Sequence, residues 1–137
     1  MSVVIDSSIT LAWFFADERT AAADAVLTQV AESGALAPSL WRLEVANALQ
    51  KAVRRNRIDS SFRDATLADL RALLVHIDAD TDRQAWASTL HLAERFRLTL
   101  YDAAYLELAQ RTGLPLATLD QELREAAGLL GVILLGC

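Results

Sequence analysis

The chain has 137 residues, 53% hydrophobic and 23% charged, which suits one compact domain over residues 1–137 and is too apolar for a disordered segment. With 13 basic against 18 acidic side chains the net charge is −5, which excludes a protein that coats nucleic acid by charge alone. The longest uncharged run, Ala126 to Cys137, is too short for a membrane span and is broken by Gly128, Gly131 and Gly136.

Val3-Val4-Ile5 is a β-branched run that predicts a buried strand. No basic n-region precedes it, and the one cysteine, Cys137, can make neither an internal disulfide nor a zinc site. Both features point to a reducing cytoplasm. Asp6, Ser7 and Ser8 follow the strand. All are good N-cap types and predict a short helix over Ile9 to Ala16. Trp13, Phe14 and Phe15 are consecutive on it, so no single helix face buries all three. Thr20 to Ala31 carries Ala22, Val26, Leu27 and Val30 at helical spacing, and Gly34 is the stop. Leu36-Ala37 before Pro38 is a minimal strand.

Leu40 to about Arg55 predicts a helix, with Leu43, Val45, Ala46, Leu49 and Val53 apolar. Ser60 or Ser61 starts another, to about Leu74, and Val75 to Ile77 is a strand. Thr81 to Phe96 reads as one helix. Leu98-Thr99-Leu100 leads to Asp102, which starts a helix to about Arg111 that Gly113 closes. Leu114 to Thr118 is a strand, Asp120 opens a helix to about Leu130, and Val132 to Leu135 is the last strand. The alternation predicts an α/β fold of three layers, α/β/α, around a central and mainly parallel sheet. Such sheets place their sites beyond the carboxyl ends of the strands.

Asp6 directly follows the first strand and Asp120 follows the Leu114–Thr118 strand, so both belong to one rim. Asp102 opens a helix, and Glu44 lies in the first turns of another that can point to the same rim. Each acid also has a plain structural reading. Asp6, Asp102 and Asp120 stand at helix starts, where an aspartate cap contributes ~1 kcal/mol. Glu44 fits a solvated face beside Asn47, Gln50 and Lys51. If the four converge, their repulsion calls for a hard divalent cation such as Mg²⁺ or Mn²⁺. Such an ion generates a nucleophilic water and neutralises a phosphodiester. His76 and His91 lie outside the four acidic segments. Patterning alone leaves the two readings level.

Ser7, Ser8 and Thr118 are hydroxyls that can support the carboxylates or a phosphate, or serve as caps and turn groups. Asn47, three residues after Glu44, shares its helix face and either orients Glu44, touches RNA or is surface polarity. Lys51, Arg54, Arg55 and Arg57 form the densest basic cluster. It fits an RNA backbone, an acidic partner peptide, or cations placed at a helix C-terminus. Asp17 and Glu18 read as solvated, and Tyr101 and Tyr105 as packing groups around Asp102.

Four segments in this order resemble the PIN domain, and in particular the VapC-type toxins of bacterial toxin–antitoxin pairs. They are Val3-Val4-Ile5-Asp6-Ser7-Ser8, Leu43-Glu44-Val45-Ala46-Asn47-Ala48-Leu49, Leu98-Thr99-Leu100-Tyr101-Asp102-Ala103-Ala104-Tyr105, and Leu116-Ala117-Thr118-Leu119-Asp120. Trp13-Phe14-Phe15-Ala16-Asp17-Glu18 is similar to the segment that follows the first acid in these toxins. The resemblance implies an endoribonuclease dependent on Mg²⁺ or Mn²⁺, with Asp6, Glu44, Asp102 and Asp120 as the acidic set. Asp6, Asp102 and Asp120 would hold the metal, and Thr118 matches a hydroxyl that joins the site. It also implies a homodimer and a small antitoxin whose tail enters the acidic groove. An aspartyl-nucleophile phosphatase would need a second acid where Ser8 stands. A receiver domain would need a late lysine, and the only lysine is Lys51. A non-catalytic PIN-like binding module and a nuclease outside a toxin–antitoxin pair remain as alternatives.

Overall fold

The computed structural model describes residues 2–137. Five strands, β1 (Val3–Ile5), β2 (Ala35–Ala37), β3 (Val75–Ile77), β4 (Leu116–Ala117) and β5 (Leu134–Leu135), form one sheet in the order β3-β2-β1-β4-β5. Every neighbouring pair is parallel. The helices that flank it are α1 (Ser7–Ala12), α2 (Ala21–Ser33), α3 (Trp41–Arg54), α4 (Ser60–Ala72), α5 (Thr81–Gln84), α6 (Ser88–Phe96), α7 (Leu100–Thr112) and α8 (Gln121–Leu129). Val3, Val4 and Ile5 are all fully buried, as a central strand covered on both faces requires. Val4 lies opposite both Leu36 and Leu116, which fixes β1 between β2 and β4. None of the helices among the described residues is long and apolar enough to cross a membrane.

Strand order decides where a site can form. The chain runs outward from β1 to β2 and β3, then returns to lay β4 on the other side of β1. The β1/β4 pair is thus the switch point, and sheets of this kind form their crevice beyond the carboxyl ends of such a pair. Asp6 and Thr118 are the first residues beyond the two strands. α7 packs against β1 and β4, and also against α6 and α8. Every residue from Ala103 to Ala109 on it is buried, so it is a core helix with no broad solvent face.

The elements differ from expectation in four places. α1 ends at Ala12 rather than Ala16, and the turn that follows lets Trp13 and Phe15 both bury themselves, as one helix face could not. The expected helix over Thr81 to Phe96 is two, α5 and α6, broken at Ala85 to Ala87. No glycine or proline marks that break, which tertiary packing sets. α7 starts at Leu100, with Thr99 as its cap in place of Asp102. β4 and β5 are two residues each, shorter than the apolar runs that contain them.

Candidate active site

β1 delivers Asp6 to the rim, where it caps α1. Its Oδ1 accepts from the Ile9 N–H at 3.0 Å and from Ser8 Oγ at 2.7 Å, and its Oδ2 accepts from Thr118 Oγ1 at 2.5 Å. The side chain is buried. Burial pushes its carboxyl up to about 6; the three hydrogen bonds hold it down, and the charge of Asp120 adds to the rise. From the far side, Trp41 Nε1 donates to Thr10 Oγ1 at 3.0 Å, and that hydroxyl donates to the Asp6 carbonyl at 2.7 Å. The start of α3 is thereby tied to the backbone of Asp6.

The turn after β4 is laced to the turn after β1. The Leu119 N–H donates to Ser8 Oγ at 2.9 Å, and the Asp120 N–H donates to Thr118 Oγ1 at 3.0 Å. Arg124 on α8 donates to the carbonyls of Thr118 and Leu135 at 2.8 and 2.9 Å, closing the ends of β4 and β5 together. Thr118 stands where the sequence placed it. Ser7 forms no side-chain hydrogen bond among the described residues; the lacing belongs to Ser8. The signal for Ser8 was local, since a hydroxyl two residues after a capping aspartate comes back beside its carboxylate.

Asp120 caps α8 through Oδ1, which accepts from the Leu123 N–H at 3.1 Å. Asp102 is no cap. Thr99 takes that role, its Oγ1 accepting from the Asp102 N–H at 3.1 Å, so the Asp102 carboxylate has no helix end to satisfy. Its pKa is raised by partial burial, then by the charges of Asp120 and Glu122. Glu122, in the first turn of α8, is a fifth acid that sequence reasoning passed over. Glu44 reaches the site from α3, half-buried, and its Oε1 accepts a hydrogen bond from the Tyr105 hydroxyl. Burial raises its pKa first and the Asp102 charge adds to that. The four acids thus form an electrostatic chain, Asp6 to Asp120 to Asp102 to Glu44. Four segments distant in sequence meet at the β1/β4 crevice.

The basic cluster divides. Arg57 is exposed but paired within the chain: Nη2 meets Asp17 at 2.6 Å and Glu18 at 2.9 Å, and the guanidinium lies 4.0 Å from the centre of the Phe15 ring. It pins the α1–α2 loop to the end of α3, so the expectation of a nucleic-acid or partner contact fits it poorly. Lys51, Arg54 and Arg55 are exposed and make no ion pair among the described residues. Asn47 is exposed one turn beyond Glu44 and makes no side-chain hydrogen bond among the described residues.

The donor set at the crevice is carboxylate and hydroxyl oxygen, which suits a hard cation and not zinc. The bonds recorded for Asp120 use only Oδ1, and each carboxylate has about four lone-pair sites. Among the described residues no three acidic, histidine or cysteine side chains are grouped so that they could hold a metal ion.

A parallel sheet with acids gathered at its switch point is an arrangement suited to metal-assisted phosphodiester chemistry. The sequence matches the PIN domain over residues 3–129, and the chain belongs to that family. It is 36% identical over 129 residues to Ribonuclease VapC3 of Pyrobaculum aerophilum, covering 91% of this chain and 94% of that protein. It is 34% identical over 104 residues to Ribonuclease VapC3 of Mycobacterium tuberculosis, covering 74% of this chain and 72% of the relative. Among solved structures, PAE2754 from Pyrobaculum aerophilum superposes with a TM-score of 0.67 at 27% identity, over 98% of this chain and 83% of that one. VapC20 of Mycobacterium tuberculosis, described as a sarcin-ricin loop cleaving toxin, has a TM-score of 0.65 at 18% identity, over 90% and 94%, and shares the fold.

Proposed function

We propose that the chain is a VapC-type endoribonuclease, the toxin of a toxin–antitoxin pair, and that it hydrolyses RNA at the Asp6–Glu44–Asp102–Asp120 crevice with Mg²⁺ or Mn²⁺. The observation that carries this is the convergence itself. Burial raises the pKa of Asp6, Glu44 and Asp102, and the charge of Asp120 adds to the rise at Asp6 and Asp102, as that of Asp102 does at Glu44, an arrangement that costs stability unless a cation is bound. Asp6, Asp102 and Asp120 would hold the ion. It would supply a nucleophilic water and neutralise charge on the phosphodiester.

The chain's own groups do the rest. Thr118 and Ser8 fix the Asp6 carboxylate from both sides. Glu44, reaching in from α3, serves as acceptor for a proton of the attacking water. On the helix surface, Asn47 and Lys51 follow Glu44 at three and seven residues, a stripe leading away from the acids, with Arg54 in the last turn and Arg55 at the C-cap beyond it. That stripe suits RNA phosphates entering the crevice. Relatives named as VapC ribonucleases support an RNA substrate, and in this reading a small antitoxin enters the same crevice. A homodimer belongs to this reading as well.

The test is mapping of RNA 5′ ends after brief induction in a bacterial host, with wild type and Asp102→Asn compared. New discrete ends with wild type alone are expected. Equal cleavage by Asp102→Asn would overturn the assignment of the site.

A further inference from the structure

Tyr105 is the one strongly buried polar side chain in the crevice that the nuclease reading leaves without a task. It is 1% exposed. It follows Asp102 by three residues on α7 and so stands on the same helix face. Its hydroxyl reaches across to α3 and donates to Glu44 Oε1. Burial, then the bond to Glu44, then the charges of Glu44, Asp6 and Asp102 hold the phenol well above its ordinary pKa. It is therefore a neutral donor among acids.

We infer that Tyr105 is a positioning residue for hydrolysis: it occupies Oε1 of Glu44 and thereby leaves Oε2 as the single oxygen presented to the attacking water. The inference rests on the nuclease reading above. A carboxylate with both oxygens unengaged rotates between equivalent poses, and only some align with an incoming water. One short bond from a buried ring removes that freedom. The chemistry of the partner matters too. An arginine or lysine in this place would orient Glu44 equally well. Its charge, however, would neutralise the acids that attract the cation and would lower the basicity of Glu44. A phenol orients without adding charge. Its ring is fixed by the all-buried face of α7, so the donor is held by core packing.

Tyr105→Phe keeps the ring and removes only the hydroxyl. The expected result is a fall in kcat of about 10- to 100-fold, the usual cost of losing a group that orients an active-site ligand. KM for RNA should stay within about twofold, because substrate binding does not use this bond. Mn²⁺ affinity, measured by titration calorimetry on the same protein, should stay within about threefold, because Glu44 acts on water and is not counted among the metal's ligands. Wild-type kcat in Tyr105→Phe would overturn the inference. So would a parallel loss of Mn²⁺ affinity, which would mean that the hydroxyl merely holds the cluster together. Either result leaves the nuclease reading standing if wild type cuts and Asp102→Asn does not. A wild-type protein that cuts no RNA removes that reading, and this inference falls with it.

Discussion

Asp6 gives one carboxylate oxygen to a helix and the other to the site, and the hydrogen bonds it gains offset only part of the cost of its burial. A bare cap on a protein surface gains from being charged. Asp6 instead has its carboxyl pushed from an ordinary 3.8 to about 6, so between these values the folded chain holds a proton that the unfolded chain has lost. Ionising it in the fold therefore costs stability, on the order of 3 kcal/mol, a cost that grows as pH rises from about 4 and is complete above about 6. Glu44 and Asp102 shift the same way and add to it. Asp78 runs the other way. Burial pushes its carboxyl up, but hydrogen bonds from Arg111 and Thr81 outweigh that, and its stability contribution is lost as pH falls. The metal-free protein should thus have its highest Tm near about pH 5 and lose stability toward neutrality. Asp6→Asn, which keeps the cap, should flatten that fall in calorimetry with chelator present. An unchanged slope in Asp6→Asn would show that the crevice does not strain Asp6.

Elements were legible wherever a local rule governs them. β1 and β3 occupy the stretches their β-branched runs predict, and Gly34 ends α2 as expected. The misses share one cause, a decision made by distant contacts. α1 stops early because Trp13 and Phe15 bury themselves in different places, Trp13 Nε1 bonding the Ala23 carbonyl at 2.9 Å. Thr99, rather than Asp102, caps α7, and both are good cap types that sequence cannot rank. The site was legible in its acids, because strand ends at a switch point converge by topology. It was not legible in Tyr105 or Arg57, whose partners lie 61 residues away in one case and 39 and 40 in the other. Gly34 offers a test of a local rule that worked. Its φ of +78° with ψ of 179° is open almost only to glycine, and an added Cβ would meet the Leu74 carbonyl at 3.1 Å. Gly34→Ala should cost about 1–3 kcal/mol and lower Tm by roughly 3–10 °C. A Tm within a degree of wild type would mean that the turn into β2 relaxes without strain.

Across the whole molecule, α7 joins the crevice to the opposite flank of the sheet. Asp102 and Tyr105 stand near its start, and Arg111 lies in its last turn, about 13 Å further along the axis. There Arg111 grips two acids. It meets Glu107 through Nε and Nη2 at 2.8 and 3.0 Å, and Asp78, just beyond β3, through Nη1 and Nη2 at 3.2 and 2.6 Å. Two bidentate pairs on one guanidinium fix direction as well as distance. They anchor the central helix to the β3 edge, while α6, α8, β1 and β4 pack along the rest of it. Glu107 is 3% exposed, so its charge has little water to fall back on. Arg111→Met keeps much of the apolar stem and strips the charge. It leaves two acids buried without a cation, which costs about 3 kcal/mol or more and lowers Tm by roughly 10 °C. Adding Glu107→Gln should recover part of that loss, because the residual penalty is an unpaired charge and not a cavity. The folded fraction of Arg111→Met should still cut RNA at the wild-type rate, since its deficit lies at the far end of the helix from the acids. A second substitution that deepens the loss would locate the cost in packing and not in charge.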